Sequence, residues 1–377
     1  MALKAVLASD VHFFDQVPDN TPTSVARSSS PSLNFKELEW KSNPEKLVVV
    51  GHRGKGMNAL TSPDPRFQEV KENSLRSFRE AARFPVDFIE FDVQVTKDDC
   101  PIVFHDDSIL TQENVRAQSF HFYCSCAPFL FFSFLFCQGM TSEKLVTDLS
   151  LEEFLSYGLQ KDSSKKGKLL YRKTNDGRVL NWNVQADAPL CTLPEVFQGV
   201  DPRLGFNVEI KFKDHIVYDD EELTHTIRTI LQVVYAHAKE RPIIFSSFQP
   251  DAVRLIRKLQ NDYPVFFLTN GGQEIHKDPR RNSLDEAIKL CLTNGLQGIV
   301  SEVKAIFKNP AAIARMKEAN LVIFTYGKLN NVPEVVHLQQ LMGISGVIVD
   351  MVQEITEAVS EFSRLDVDGD EGGAEEV

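Results

Sequence analysis

Eight short apolar runs, each bounded by Gly, Pro, Asn or Asp, punctuate this chain: KLVVVG, DFIEFDVQV, LGFNVEIKF, PIIFSSF, PVFFLTN, QGIVSEV, LVIFTYG and GVIVD. Their β-branched and aromatic content and their length are those of strands. Between them lie helical patterns such as NSLRSFREAARF, LTHTIRTILQVVYAHAKE and SLDEAIKLCLTNG. Several begin with Ser, Asp or Pro and two end at Gly, as helix caps require. Strand and helix alternating eight times predict an α/β chain whose parallel strands close into a single-domain (β/α)8 TIM barrel. An open doubly wound sheet is the alternative.

The 377 residues are 42% hydrophobic and 25% charged, a soluble globular balance. A formal charge of -12 argues against a nucleic-acid or anionic-membrane surface, since phosphate backbones select basic faces. It leaves room for a small anionic substrate held by a local basic site. Six cysteines in so long a chain, with no apolar N-terminal signal run, predict reduced thiols in an intracellular compartment. Residues 1–44 read as a flexible leader: Asp10, Asp15 and Asp19 weaken a transit-peptide reading, and SVARSSS keeps it open. Residues 363–377 read as an acidic disordered tail. Asp366, Asp368 and Asp370 begin it like a calcium loop, but Glu371 stands where that loop needs Gly.

A barrel puts its reactive side chains at the C-terminal ends of the strands. Glu90 and Asp92 are two apart on one strand and therefore share a face, and Glu209 adds a third carboxylate on the next. Three converging carboxylates suit a hard divalent cation, Mg2+ or alternatively Ca2+. Buried ion pairs with Arg53 and Lys211 are the bland alternative. His52 and His105 stand at the ends of what read as neighbouring strands, and two imidazoles facing one substrate suit general acid and base work. Arg53 and Lys211 complete a clamp for phosphate oxygens, so the set points to phosphodiester cleavage. Ser246, Phe248 and Tyr326, also at strand ends, are read either as site lining or as core, and KDSSKKGKLLYRK (161–173) as a solvated loop.

With GHRGKGMN, KENSLRSF, FIEFDVQVTKDDCPIVFHDD and LGFNVEIKF in order, the chain resembles the glycerophosphodiester phosphodiesterases, in their plant-type branch, over residues 46 to 360. The resemblance implies a metal-dependent hydrolase that splits glycerophosphocholine, glycerophosphoethanolamine or glycerophosphoinositol into sn-glycerol 3-phosphate and an alcohol, in glycerophospholipid turnover and phosphate recovery. It makes His52 and His105 the acid–base pair and leaves open which of them is the first base. It assigns Glu90, Asp92 and Glu209 to the metal, Arg53 and Lys211 to the phosphate, and Glu72 to Arg53 or the glycerol, an acid at the helix start being the bland alternative for Glu72. No nucleic-acid or obligate protein partner is expected, and the resemblance leans towards the chloroplast, with the cytoplasm as alternative. A lysophospholipase D-like enzyme on the same barrel, or an inactive binding paralogue, is the rival reading.

One stretch fits none of this. SFHFYCSCAPFLFFSFLFCQGM (119–140) holds seven of the 27 phenylalanines and no formal charge. A membrane span there would split the barrel. Val115-Arg116 can be encoded GTAAGA and Cys137-Gln138 TGCCAG, matches to splice signals, and the Phe-, Ser- and Leu-rich run is what a translated polypyrimidine tract yields. Residues 115–138 therefore read as an unspliced intron whose removal restores TQENGMTSEKL.

Overall fold

In the computed structural model the described residues are 46–113, 140–174 and 176–370, all within one unit, Phe35–Val377. The leader and the Phe-rich segment lie outside them. In chain order the elements are β1 (Val48–Gly51), α1 (Leu75–Ala81), β2 (Phe88–Val95), β3 (Pro101–Val103), β4 (Ser108–Glu113), β5 (Met140–Leu145), α2 (Leu151–Leu155), β6 (Tyr171–Lys173), β7 (Val179–Asn181), β8 (Cys191–Thr192), α3 (Leu193–Gly199) and β9 (Gly205–Ile210). There follow α4 (Asp220–His237), β10 (Ile243–Ser247), α5 (Pro250–Leu259), β11 (Val265–Thr269), α6 (Leu284–Asn294), β12 (Gly298–Glu302), α7 (Val303–Lys308), α8 (Ala311–Glu318), β13 (Val322–Tyr326), α9 (Pro333–Met342), β14 (Gly346–Val349) and α10 (Val352–Asp370).

The eight apolar runs are the eight barrel strands. They lie in the order β1-β14-β13-β12-β11-β10-β9-β2, all parallel, and β1 pairs with β2 to close the ring. The barrel, rather than the open sheet, follows from that last pairing.

Alternation along each strand sorts the side chains. Val49 joins Val352 and Ile355 under α10, whereas Val48 and Val50 join Phe88, Phe266, Phe324 and Ile348 inside the ring. The interior is crowded: a Cβ on Gly346 would stand 2.7 Å from the Phe324 ring, so only glycine fits there. Higher up, the same inward positions become polar, with Glu90, Asp92 and Glu209 following Phe88 on β2 and Asn207 on β9. Burial of every residue of β2, carboxylates included, makes these charges dependent on protein partners.

The caps match their sequence signals. Ser74 accepts a hydrogen bond from Ser77 N at the start of α1, Asp219 forms a capping box on α4, and α6 and α9 end at left-handed Gly295 and Gly343. The helix α10 runs on to Asp370, so the segment read as a tail begins as helix. Among the described residues no helix is long and apolar enough to cross a membrane.

Two features were not expected. β2 overshoots the ring and turns back through Asp99, a non-glycine residue at φ 57°, into β3, which pairs antiparallel with it. Between β3 and β8 the chain then builds a separate antiparallel sheet, β5-β4-β6-β7, over its own apolar cluster of Phe104, Phe154, Tyr157 and Trp182.

Candidate functional site

The mouth of the barrel gathers all eight residues expected from sequence. Glu90, Asp92 and Glu209 each offer one oxygen, and these lie within 4.8 Å of one another. Both sequence readings of this cluster find support. Lys211 Nζ is 3.0 Å from Glu209 Oε1 and 3.5 Å from Asp92 Oδ1, and Arg53 Nε is 3.4 Å from Asp92 Oδ2. Yet Glu90 Oε1 is buried with no hydrogen-bond partner, so the protein's cations leave one oxygen of the triad open. An orphaned buried carboxylate oxygen facing two more carboxylates is the donor set a hard divalent cation takes.

The electrostatics separate the carboxylates. Burial, and then the Asp92 charge, pushes the Glu90 carboxyl well above the usual range. Burial opposes ionisation of Asp92 too, but His105, Arg53 and Lys211 together hold it below the usual range, helped by Asn73 Nδ2 donating at 2.8 Å.

Arg53 is set by its backbone. It sits at φ 50°, where its carbonyl accepts from Asn73 N at 3.1 Å and Ser77 Oγ at 3.0 Å, and its own N–H donates to Glu90 Oε2 at 2.9 Å. Strain of this kind persists only where surrounding contacts over-determine it. Gly54 follows at φ 94°, and a Cβ there would meet Ser77 Oγ at 2.4 Å, which accounts for the HRG sequence. The Arg53 side chain, 9% exposed, donates from Nη1 to Glu72 Oε1 at 2.8 Å. Of the two sequence readings of Glu72, a helix-start acid or a partner of Arg53, the second is the observed contact.

Each histidine is tethered through Nδ1. His52 Nδ1 is 2.7 Å from Asp350 Oδ1, and His105 Nδ1 is 2.8 Å from Asp106 Oδ1, while His52 Nε2 lies 3.9 Å from Glu90 Oε2. Their fields differ. Burial works against a charge on His52, but Asp350 and Glu90 outweigh it and raise its pKa. Burial together with Arg53 and Lys211 lowers that of His105.

One expectation needs correction. His105 does not end a strand adjacent to β1: β3 lies outside the ring, and its fold-back, with Phe104 N donating to Asp92 O at 3.0 Å, brings His105 down to the level of Asp92. Ser246 proves to be core, fully buried and donating to Asn207 Oδ1 at 2.9 Å, while Phe248 and Tyr326 meet edge to face at the mouth with ring centres 6.0 Å apart. The basic run 161–173 is not all solvated loop. Its Arg172, side chain 11% exposed, reaches Glu72 and Asp106, and nothing in its local sequence marks it. Beside these residues opens a cavity of about 540 Å³, lined among others by Arg53, His105, Asp106, Asn58, Thr61 and Arg172, a volume suited to a small-molecule ligand.

The chain is similar to known proteins. Residues 52–354 match the Glycerophosphoryl diester phosphodiesterase family. The chain is 53% identical to glycerophosphodiester phosphodiesterase GDPD2 of Arabidopsis thaliana, over 96% of this chain and 87% of that protein. It is 51% identical to glycerophosphodiester phosphodiesterase GDPD1, chloroplastic, of the same plant, over 98% and 93%. Among solved structures, a phosphodiesterase from Oleispira antarctica in complex with the product sn-glycerol-3-phosphate superposes with a TM-score of 0.54 at 16% identity, covering 84% of this chain and 97% of that one. At that identity the likeness speaks for the fold.

Proposed function

Since the chain belongs to the glycerophosphoryl diester phosphodiesterase family and is a phosphodiesterase, we propose that it hydrolyses glycerophosphodiesters such as glycerophosphocholine, glycerophosphoethanolamine and glycerophosphoinositol to sn-glycerol 3-phosphate and the free alcohol. The observation that carries this reading is the pair of Nδ1-tethered histidines beside Arg53, Lys211 and the carboxylate triad.

Arg53 and Lys211 bind the phosphodiester anion and hold its phosphorus between the two Nε2 atoms. One imidazole takes the proton of the free glycerol hydroxyl next to the phosphodiester, and that oxygen attacks phosphorus. The other imidazole gives its proton to the departing alcohol. Water then opens the resulting cyclic phosphate, with the two imidazoles in exchanged roles. What supports an order is the field: His105, lowered by burial, Arg53 and Lys211, is the proton acceptor, and His52, raised by Asp350, the donor. The sequence leaves this order open. Glu90, Asp92 and Glu209 would hold a divalent cation, Mg2+ with Ca2+ as alternative, which when bound supplies charge stabilisation to the phosphoryl oxygens.

The test is hydrolysis of glycerophosphocholine with Mg2+, followed by phosphorus NMR, in wild type, His52→Ala and His105→Ala. Both variants are expected to keep wild-type circular dichroism and to lose turnover. Substantial activity in either would remove that histidine from the mechanism. The name of the GDPD1 relative supports a chloroplast location, with the cytoplasm as alternative, and a fluorescent fusion of the full chain decides between them.

A further inference from the structure

We propose that Arg172 is a positioning residue of this phosphodiesterase, one guanidinium that holds both the proton-transferring His105 and the phosphate-binding Arg53 in place from the separate β4–β7 sheet. Its Nε and Nη2 donate to the two oxygens of Asp106 at 2.8 and 2.9 Å, and its Nη1 and Nη2 donate to the two oxygens of Glu72 at 3.1 and 2.7 Å. Asp106 is the carboxylate that takes His105 Nδ1, and Glu72 the one that takes Arg53 Nη1. Arg172 therefore lies one carboxylate away from each.

The geometry explains why the residue is arginine. Serving two carboxylates bidentately requires a planar fork with at least four donors in fixed directions, which an ammonium on a flexible stem does not have. The plane is itself fixed. The guanidinium carbon lies 3.6 Å from the Trp182 ring centre, and Trp182 Nε1 donates to Asn58 Oδ1 at 3.0 Å. A carboxylate held rigidly on Nδ1 selects the tautomer of His105 that presents Nε2 to the substrate, and a rigid Glu72 does the same for the angle of Arg53.

The inference rests on the roles given above to His105 and Arg53. Its test measures kcat, KM and melting temperature for Arg172→Lys, Asp106→Asn and the double variant, with glycerophosphocholine as substrate. Arg172→Lys keeps the charge and loses the fork, and its kcat is expected to fall about 10- to 100-fold, the usual effect of removing an outer partner of a site residue, with KM changing far less. On the Asp106→Asn background the same substitution should cost much less, because its route to His105 is already cut. Millimolar guanidinium ion should partly restore kcat to Arg172→Ala. Wild-type kcat in Arg172→Lys, or losses in the two single variants that simply multiply, would overturn the proposal. Should Arg172→Lys not fold, wild-type kcat in both Asp106→Asn and Glu72→Gln overturns it as well, since Arg172 would then have neither carboxylate to act through. Activity surviving in His105→Ala would instead overturn the reading of His105.

Discussion

His52 Nδ1 lies 2.7 Å from Asp350 Oδ1 although the two residues are 298 apart in sequence. They follow β1 and β14, the first and last strands of the ring, so the pair forms only when the barrel closes. Asp350 is in turn held by Met57 N at 3.0 Å and Asn331 Nδ2 at 2.9 Å. Its carboxylate fixes the ring and raises the pKa of His52.

Asp350→Asn keeps the shape and removes the charge. We expect kcat to fall by about 10²- to 10⁴-fold, the scale seen when the acid behind a catalytic histidine is neutralised. The pH profile carries the sign. As proton donor, His52 works below its pKa, so the alkaline limb of kcat/KM should move to lower pH when the Asp350 charge is gone. An alkaline limb that stays in place would mean that another group donates the proton.

The carboxylate triad predicts opposite effects on stability and activity. Glu90 is pushed up by burial and by Asp92, so its charged form destabilises the metal-free fold. Glu90→Gln should raise the melting temperature in EDTA and abolish turnover. Adding Mg2+ or Ca2+ should raise the melting temperature of the wild type, by linkage, and leave that of Glu90→Gln nearly unchanged. Differential scanning fluorimetry reads both; equal shifts in the two proteins would argue for ion pairing alone at this site.

Glu72 gives stability a definite acid edge. Burial opposes its ionisation, but Arg172 and Arg53 lower its pKa from 4.5 to about 2. A depressed folded-state pKa contributes stability that is complete above the unfolded value and is lost as pH falls towards the folded one. The contribution is on the order of 3 kcal/mol and should fade between about pH 4.5 and 2. In urea unfolding, the gap between wild type and Glu72→Gln should be widest at pH 6 and shrink by pH 3. A gap constant with pH would show that Glu72 acts through packing alone.

The barrel was legible because its strands are buried on both faces, which makes them unbroken apolar runs; every residue of β2 is buried. The carboxylates and histidines stood out as ionisable groups inside or just after such runs. The β4–β7 sheet carried no such mark: YRK and VLN are three residues each, polar or half-exposed, with no periodicity to read. Arg172 therefore looked like one more cation in a basic loop, and its partners Asp106 and Glu72 lie 66 and 100 residues away. Asp350 was visible as an acid at a strand end, but only ring closure pairs it with His52. The antiparallel turn-back of β3 was hidden because PIVFHDD has the same pattern as a barrel strand followed by its site residues.

The register of β4 and β5 bears on the Phe-rich segment. Six residues of each strand pair, from Ser108 with Leu145 to Glu113 with Met140, and the ladder is then closed by residues 114–139, which are 26 in number. If residues 115–138 are a retained intron, their removal leaves Asn114 and Gly139 as the only residues between the directly paired Glu113 and Met140. Asn-Gly is the sequence that two-residue hairpins prefer, because both positions of a type I′ turn need positive φ. The codon argument and the strand register thus meet at the same junction from independent directions. Shortening the connection from 26 residues to two removes closure entropy of on the order of 2 kcal/mol and seven phenylalanines together. A protein lacking residues 115–138 is expected to be more soluble, to melt at higher temperature and to turn over glycerophosphocholine faster than the full chain. The effect on activity should follow from the pairing of β4 with β6, the strand that carries Arg172. Transcripts that all read through these codons, or a shortened protein less stable than the full chain, would show that the segment belongs to the native sheet.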